Sequence, residues 1–315
     1  GGFIGQNSSS DISNSSVTGL LSVSASTKTE DDSLLAKSYA GGFAAMSQVG
    51  GLAEIGDENT VDSFLDDNNV LNLHGLLDAV QYLIPKYDNC YVEFAAENNG
   101  KPQVNAAVAG GFIGEMQGGK INVPEEDTTL TVENKYAVRN AKYIEGTYYA
   151  GGFAGRVYAG GFAEAGGLDI FGTKVLSISD LASVLQVYIP EIRNAGVSSR
   201  PEGSEDENEF GLKVRATNAD ELDVDSGTAG GYIGLARGTR ISDSDVCELA
   251  SGNQEENRLY AVEAPNYAGG YAGKADIGSA AAVGDQLSIL KLTGFDNLIQ
   301  AVDSVESKFE SCDVY

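Results

Sequence analysis

The sequence predicts a mainly β fold: a repetitive parallel β-helix, or solenoid, with one amphipathic α-helical insert per unit of about 110–120 residues. Three observations carry this. A Gly-Gly-aromatic phrase recurs along the whole chain. Short β-branched or alternating runs lie between its copies, bounded by Gly, Asn, Asp and Ser. An apolar stretch of helical period returns once in each unit.

The phrase takes two forms. GG(F/Y)IG begins at Gly1, Gly110 and Gly230. YAGG(F/Y)A follows about forty residues later, with its glycine pair at Gly41, Gly151 and Gly269. A further echo reads VGGLAEIGD from Val49 and AGGFAEAGG from Ala159, shortened to KADIG from Lys274. The copies divide the chain into units 1–109, 110–229 and 230–315, the last truncated, forming one continuous solenoid. Gly permits tight turns and close backbone approach. An aromatic side chain at one phase of every coil can stack on its copies, so Phe3, Phe43, Phe112, Phe153, Phe162, Tyr232 and Tyr271 are the expected ladder.

Strand-like runs include Leu20–Ala25 (LLSVSA) and Thr128–Val132 (TTLTV). Polar turn phrases include Gly118–Asn122 and Arg237–Ile241. The helical pattern runs through VLNLHGLLDAVQYLIPKY from Val70, VLSISDLASVLQVYIPEI from Val175 and ILKLTGFDNLIQAVDSVESKF from Ile289. Leu73, Leu76, Leu77, Val80, Leu83 and Ile84 share one face, as do Ile178, Leu181, Val184, Leu185 and Tyr188, and Leu292, Phe295, Leu298, Ile299, Val302 and Val305. Asn72, Ser179 and Thr293 are the N-cap candidates, and Pro85 and Pro190 are expected to end or kink the first two helices.

Composition bounds the function. The chain has 46 acidic and 20 basic residues, a formal net charge of −26. Such a surface repels nucleic acid and anionic lipid. No apolar run reaches the length of a membrane span. The chain starts and stops within the repeat phrase, as an excerpt of a longer polypeptide would.

The phrase (Y/V)AGG(F/Y)(I/A)G, a short turn such as GGKI or GTRI, and then an Asn/Ser-rich strand resemble the Gly-rich GLUG-type repeats of large bacterial surface proteins. Ala229–Val246, AGGYIGLARGTRISDSDV, is the clearest instance. The resemblance covers the β parts of all three units, and the helical inserts depart from it. It implies a right-handed β-helix in a secreted or wall-attached, adhesin-like protein, and it supplies no catalytic residues.

Residues with chemistry are few. The single histidine, His74, lies in the first helical pattern, and no GxSxG accompanies it. The glycine phrase recurs too often to be a dinucleotide loop. Acidic clusters occur at Asp57-Glu58, Asp66–Asn69, Glu125–Asp127, Glu205–Glu207 and Asp243/Asp245, without EF-hand or β-roll spacing. Calcium is therefore the one cofactor the charge suggests, and no metal, cofactor or catalytic residue is assigned. Cys90, Cys247 and Cys312 read as small buried side chains, with Cys90 and Cys312 at comparable places after the first and third helices. The expectation is a non-enzymatic stalk, adhesin shaft or fibre at the bacterial cell surface. Its partners would be neighbouring repeats, identical subunits end to end, or glycans and proteins of its surroundings. The alternatives are a head-to-tail filament subunit and a β-helix enzyme that cleaves polysaccharides with paired carboxylates.

Overall fold

A computed structural model describes residues 1–26, 38–50, 81–96, 100–124, 135–159, 189–200, 211–221, 223–247, 261–276 and 306–315 of the chain. The chain makes five passes across the same four sheets and begins a sixth. The first pass comprises β1 (Ile4–Ser8), β2 (Asp11–Ser13), β3 (Ser16–Leu20), β4 (Val23–Ser24) and β5 (Tyr39–Gly41). The second is β6 (Ala44–Gln48), β7 (Lys86–Asp88), β8 (Tyr91–Phe94) and β9 (Val104–Gly110). The third is β10 (Ile113–Gln117), β11 (Lys120–Ile121), β12 (Tyr136–Arg139) and β13 (Tyr143–Gly151). The fourth is β14 (Ala154–Tyr158), β15 (Glu191–Arg193), β16 (Gly196–Ser198), β17 (Lys213–Ala216) and β18 (Thr228–Gly230). The fifth is β19 (Ile233–Arg237), β20 (Arg240–Ser242), β21 (Val246–Cys247), β22 (Val262–Glu263) and β23 (Tyr267–Gly269). The sixth is β24 (Ala272–Asp276) and β25 (Lys308–Glu310), followed by a bridge from Val314 to Val246.

The first sheet runs β1-β6-β10-β14-β19-β24, and the second β2-β7-β11-β15-β20-β25. The third runs β21-β16-β12-β8-β3, and the fourth holds the eight remaining strands. Their pairings are parallel, so each residue lies beside its counterpart in the next pass. Three inward columns show why these residues make strands. Ile12, Tyr87, Ile121, Ile192, Ile241 and Phe309 line the second sheet. Val17, Val92, Val138, Val197 and Val246 line the third. Val23, Val104, Ile144, Val214 and Val262 line the fourth. Most are β-branched, which suits a pleated surface, and all belong to one core.

The ladder forms as expected. Phe3, Phe43, Phe112, Phe153, Tyr232 and Tyr271 stack in pass order at centroid distances of 4.8–5.1 Å, with rings within 8° of parallel. The ring spacing is that of adjacent strands, about 4.8 Å, so the backbone sets it. Phe162 lies outside the described residues. The glycine pair has a steric reason. A Cβ on Gly110 would lie 1.9 Å from the carbonyl oxygen of Ile113, in the same tight corner. A Cβ on Gly111 would lie 1.9 Å from the carbonyl oxygen of Gly152, in the next pass. One glycine therefore closes the corner from fourth to first sheet, and the other lets successive corners stack.

The unit of 110–120 residues resolves into two passes. In the first, third and fifth passes the corner from first to second sheet is short: Ser9-Ser10, Gly118-Gly119 and Gly238-Thr239. Ser9, Gly118 and Gly238 all take positive φ there, at 69°, 76° and 56°. In the even passes the same corner carries an insert, between Gln48 and Lys86, Tyr158 and Glu191, and Asp276 and Lys308. The second glycine beat of each unit therefore opens a further full pass.

The amphipathic stretches fall in these inserts, mostly outside the described residues, as do their N-cap candidates; described helix is confined to Gln81. The last residues of the quoted stretches lie among the described ones. Lys86-Tyr87, Glu191-Ile192 and Lys308-Phe309 are strand, because each pair enters the second sheet and places its apolar member in the core column. Pro85 and Pro190 stand directly before β7 and β15. The run Leu20–Ala25 is not one strand either: it turns at Leu21-Ser22 between the third and fourth sheets. Thr128–Val132 lies outside the described residues.

Candidate functional site

The chemistry-bearing side chains concentrate where the first sheet faces the end of the fourth. The column Gln6, Met46, Glu115, Arg156, Leu235, Lys274 runs along the first sheet. Leu235 packs with Val108 and Tyr149 of the fourth sheet, and Tyr39 and Tyr148 close over them. Glu115 sits in this seam at 0% exposure. Its Oε1 accepts from Gln117 Nε2 at 2.6 Å and from the Tyr158 hydroxyl at 3.1 Å. Its Oε2 accepts from Arg156 Nε at 2.7 Å and from the guanidinium NH2. The Arg156 guanidinium lies 5.1 Å from the Tyr149 ring and 5.2 Å from that of Tyr158.

Burial pulls the Arg156 guanidinium down, but Glu115 beside it prevails and holds it above its ordinary value. Burial, then the charge of Glu115, raises the Tyr158 hydroxyl far above the usual tyrosine range. Tyr149 is raised by burial and by donating to Asp223 at 2.6 Å. Further along, Asp225 binds both Arg237 and Lys274. Every oxygen of Glu115 is thus engaged by fixed donors. The cluster is bonded within the fold. It suits register and specificity between passes rather than proton transfer. Sequence reasoning missed it, because the pairing of Glu115 with Arg156 is visible only once their strands are in register.

The expected acidic sites mostly fall outside the described residues, as does His74. Asp243 and Asp245 are described and do not converge. Asp243 makes a left-handed corner at φ 51°. Asp245 is buried, binds Lys135 Nζ at 2.6 Å and accepts the Asp313 backbone N–H at 3.1 Å. Among the described residues, no group of three or more His, Cys, Asp or Glu is placed to hold a metal ion. Nor is any helix there long and apolar enough to cross a membrane.

The corner from second to third sheet was not anticipated. Asn14, Asn89, Asn122, Asn194, Asp243 and Ser311 occupy it, one per pass, each with φ between 45° and 53°. Asn and Asp tolerate this left-handed conformation best. The next residue is Ser, Cys or Ala in five of the six and Val123 after Asn122. Ser15, Cys90, Ser244 and Cys312 each direct their side chain to the carbonyl two residues back. Cys90 and Cys312 do therefore hold equivalent places. They are four passes, about 19 Å, apart, beyond disulfide reach, and both are free thiols. Cys247 lies 3.2 Å from the Tyr136 hydroxyl.

No family model matches the chain, and neither does any curated protein or solved structure.

Proposed function

We propose that the chain is a structural segment of an extracellular rod: a right-handed parallel β-helix serving as a stalk, adhesin shaft or fibre at a bacterial cell surface. The in-register column of six aromatic rings, running through all six passes, carries this reading. A protein built to repeat one cross-section propagates along one axis, and each pass is stabilised by its neighbours. The resemblance to GLUG-type repeats and the strong negative charge agree with a soluble surface structure. The amphipathic inserts, returning at one corner of alternate passes, would form helices that cover one side of that rod.

A second reading is the head-to-tail filament subunit: sheets of parallel strands that repeat one cross-section are continued by a further copy placed end to end.

Electron microscopy of the purified chain over a concentration series, with and without EDTA, tests both. Discrete particles of constant size support the segment of a longer rod. Filaments that lengthen with concentration support the second reading, and their dissolution by EDTA would make calcium part of it. Release of reducing ends from plant, mucin or capsular glycans, abolished by one Asp→Asn change, would overturn both in favour of an enzyme.

A further inference from the structure

Two inward columns leave the apolar pattern together, in the first two passes. Asn7 and Ser47 head the first-sheet column that continues through Met116, Val157 and Ala236 in the core. The second-sheet column is otherwise Ile and Phe, but carries Tyr87 between Ile12 and Ile121. Tyr87 and Ser47 are 0% exposed and Asn7 is 1% exposed. Burial pushes the Tyr87 hydroxyl up to about 12, and the Ser47 and Asn7 side chains stand near enough to pull against that rise. Yet neither the Tyr87 hydroxyl nor Ser47 Oγ has a hydrogen-bond partner in the protein. The buried Tyr232 differs, since its hydroxyl donates to the Ala195 carbonyl at 2.9 Å.

A buried hydroxyl without a partner costs stability, so each one calls for an account. Here two occur together, supplied by two different sheets. Asn7 is held in place by Ser10: its Nδ2 donates to the Ser10 carbonyl at 3.0 Å, and its Oδ1 accepts the Ser10 backbone N–H at 3.0 Å. One amide hydrogen of Asn7 is left over from that pair. The three groups define what fits between them. A hydroxyl both donates and accepts, and the amide hydrogen donates. None of the three is charged, and an ion buried among them would lack a counter-charge. The molecule that suits them is neutral, small, and able to donate and accept at once. A buried water, which typically makes about three hydrogen bonds, has these properties.

We propose that Tyr87, Ser47 and Asn7 form an internal water site, where one molecule accepts from the Tyr87 hydroxyl and the Asn7 amide and donates to Ser47 Oγ. The water ties the second sheet to the first across the core. It gives the first two passes a directional link that apolar packing does not provide. This inference rests on the described strands and does not depend on the rod serving as a stalk or a filament.

A crystal structure of the whole chain, at a resolution that shows ordered water, tests the proposal directly. One density peak is expected between the Tyr87 hydroxyl and Ser47 Oγ, within about 3.2 Å of both. Urea unfolding of Tyr87→Phe, Ser47→Ala and the double variant gives a second, independent reading. Each single change should lower the folding equilibrium constant about fivefold or more, because it strips the water of a partner. The double variant should lose clearly less than the two singles combined, because both act on one shared molecule. The proposal is overturned if the two oxygens meet directly with no density between them, or if neither a contact nor a peak is found. It is equally overturned if Tyr87→Phe stabilises the chain, as removal of an unbridged hydroxyl would, or if the two single losses add.

Discussion

Replacing Phe112 by leucine separates stacking from burial. Phe112 is fully buried, with Phe43 at 4.9 Å on one side, Phe153 at 5.1 Å on the other and the edge of Tyr87 at 6.0 Å. Leucine keeps most of the apolar area but loses three aromatic contacts, each worth about 0.5–1.5 kcal/mol. Partial repacking recovers some of this, so a loss of about 2 kcal/mol is expected. Phe3→Leu removes one stack from a ring that is already half exposed, and should cost about 0.5–1 kcal/mol. Phe112→Tyr supplies a sharper control. Tyr232 and Tyr271 donate to the carbonyls of Ala195 and Ser244, each just past the left-handed corner of the preceding pass. The equivalent carbonyl for residue 112 is that of Cys90, so the tyrosine should change stability by less than about 1 kcal/mol. Urea unfolding followed by circular dichroism measures all three. The reasoning fails if Phe3→Leu costs as much as Phe112→Leu, or if tyrosine at 112 is as harmful as leucine.

The other predictions are more local. Gly111→Ala forces a methyl against the Gly152 carbonyl and should destabilise by about 3 kcal/mol or more, whereas Gly270→Ala, whose nearest atom is Val314 Cγ1 at 3.8 Å, should be close to neutral in the same assay. Burial pushes the Glu191 carboxyl up, but Lys120 and Arg193 prevail and hold it below its usual value. Its folded pKa is thus below its unfolded one, so its contribution is full above about pH 4.3 and fades as pH falls through the folded value. The stability gap between the parent and Glu191→Gln should therefore narrow between pH 6 and pH 3, and a constant gap would contradict the pairing. Burial raises the Cys90 thiol to about 11. A raised acid favours the folded state below its unfolded pKa, and that advantage is lost as pH rises toward 11. At pH 8 a disulfide reagent should accordingly modify Cys90 far more slowly in the native chain than in urea.

Much of this fold can be read from the sequence, because one aromatic position and its two glycines recur under the same steric demand in every pass. The ladder needed no structure to find. The pass itself was harder to see. Long inserts at one corner of alternate passes separate copies of the strand pattern, and the stronger two-pass period hides the single one. The left-handed corner had a signal, an Asn or Asp followed by a small residue at Asn14, Asn89, Asn194 and Asp243, but no glycine to draw attention to it. Pro85 and Pro190 mark the change from amphipathic stretch to strand; the third stretch has no proline, and nothing in its period announces the strand at Lys308-Phe309. Glu115 meets Arg156 and Tyr158, 41 and 43 positions further along the chain. Which charge faces which is a matter of register, and composition does not contain it.

The central claim is that six passes stack in register along one axis. Spin labels at Ser13 and Glu310 test it most directly, in a chain whose three cysteines are replaced by serine. Both positions are exposed in the same outward column of the second sheet, at its two edges. Five steps of about 4.8 Å place their backbones about 24 Å apart. A narrow dipolar distance distribution near that value is the predicted result. A broad distribution, or one centred beyond about 40 Å, would contradict the stack.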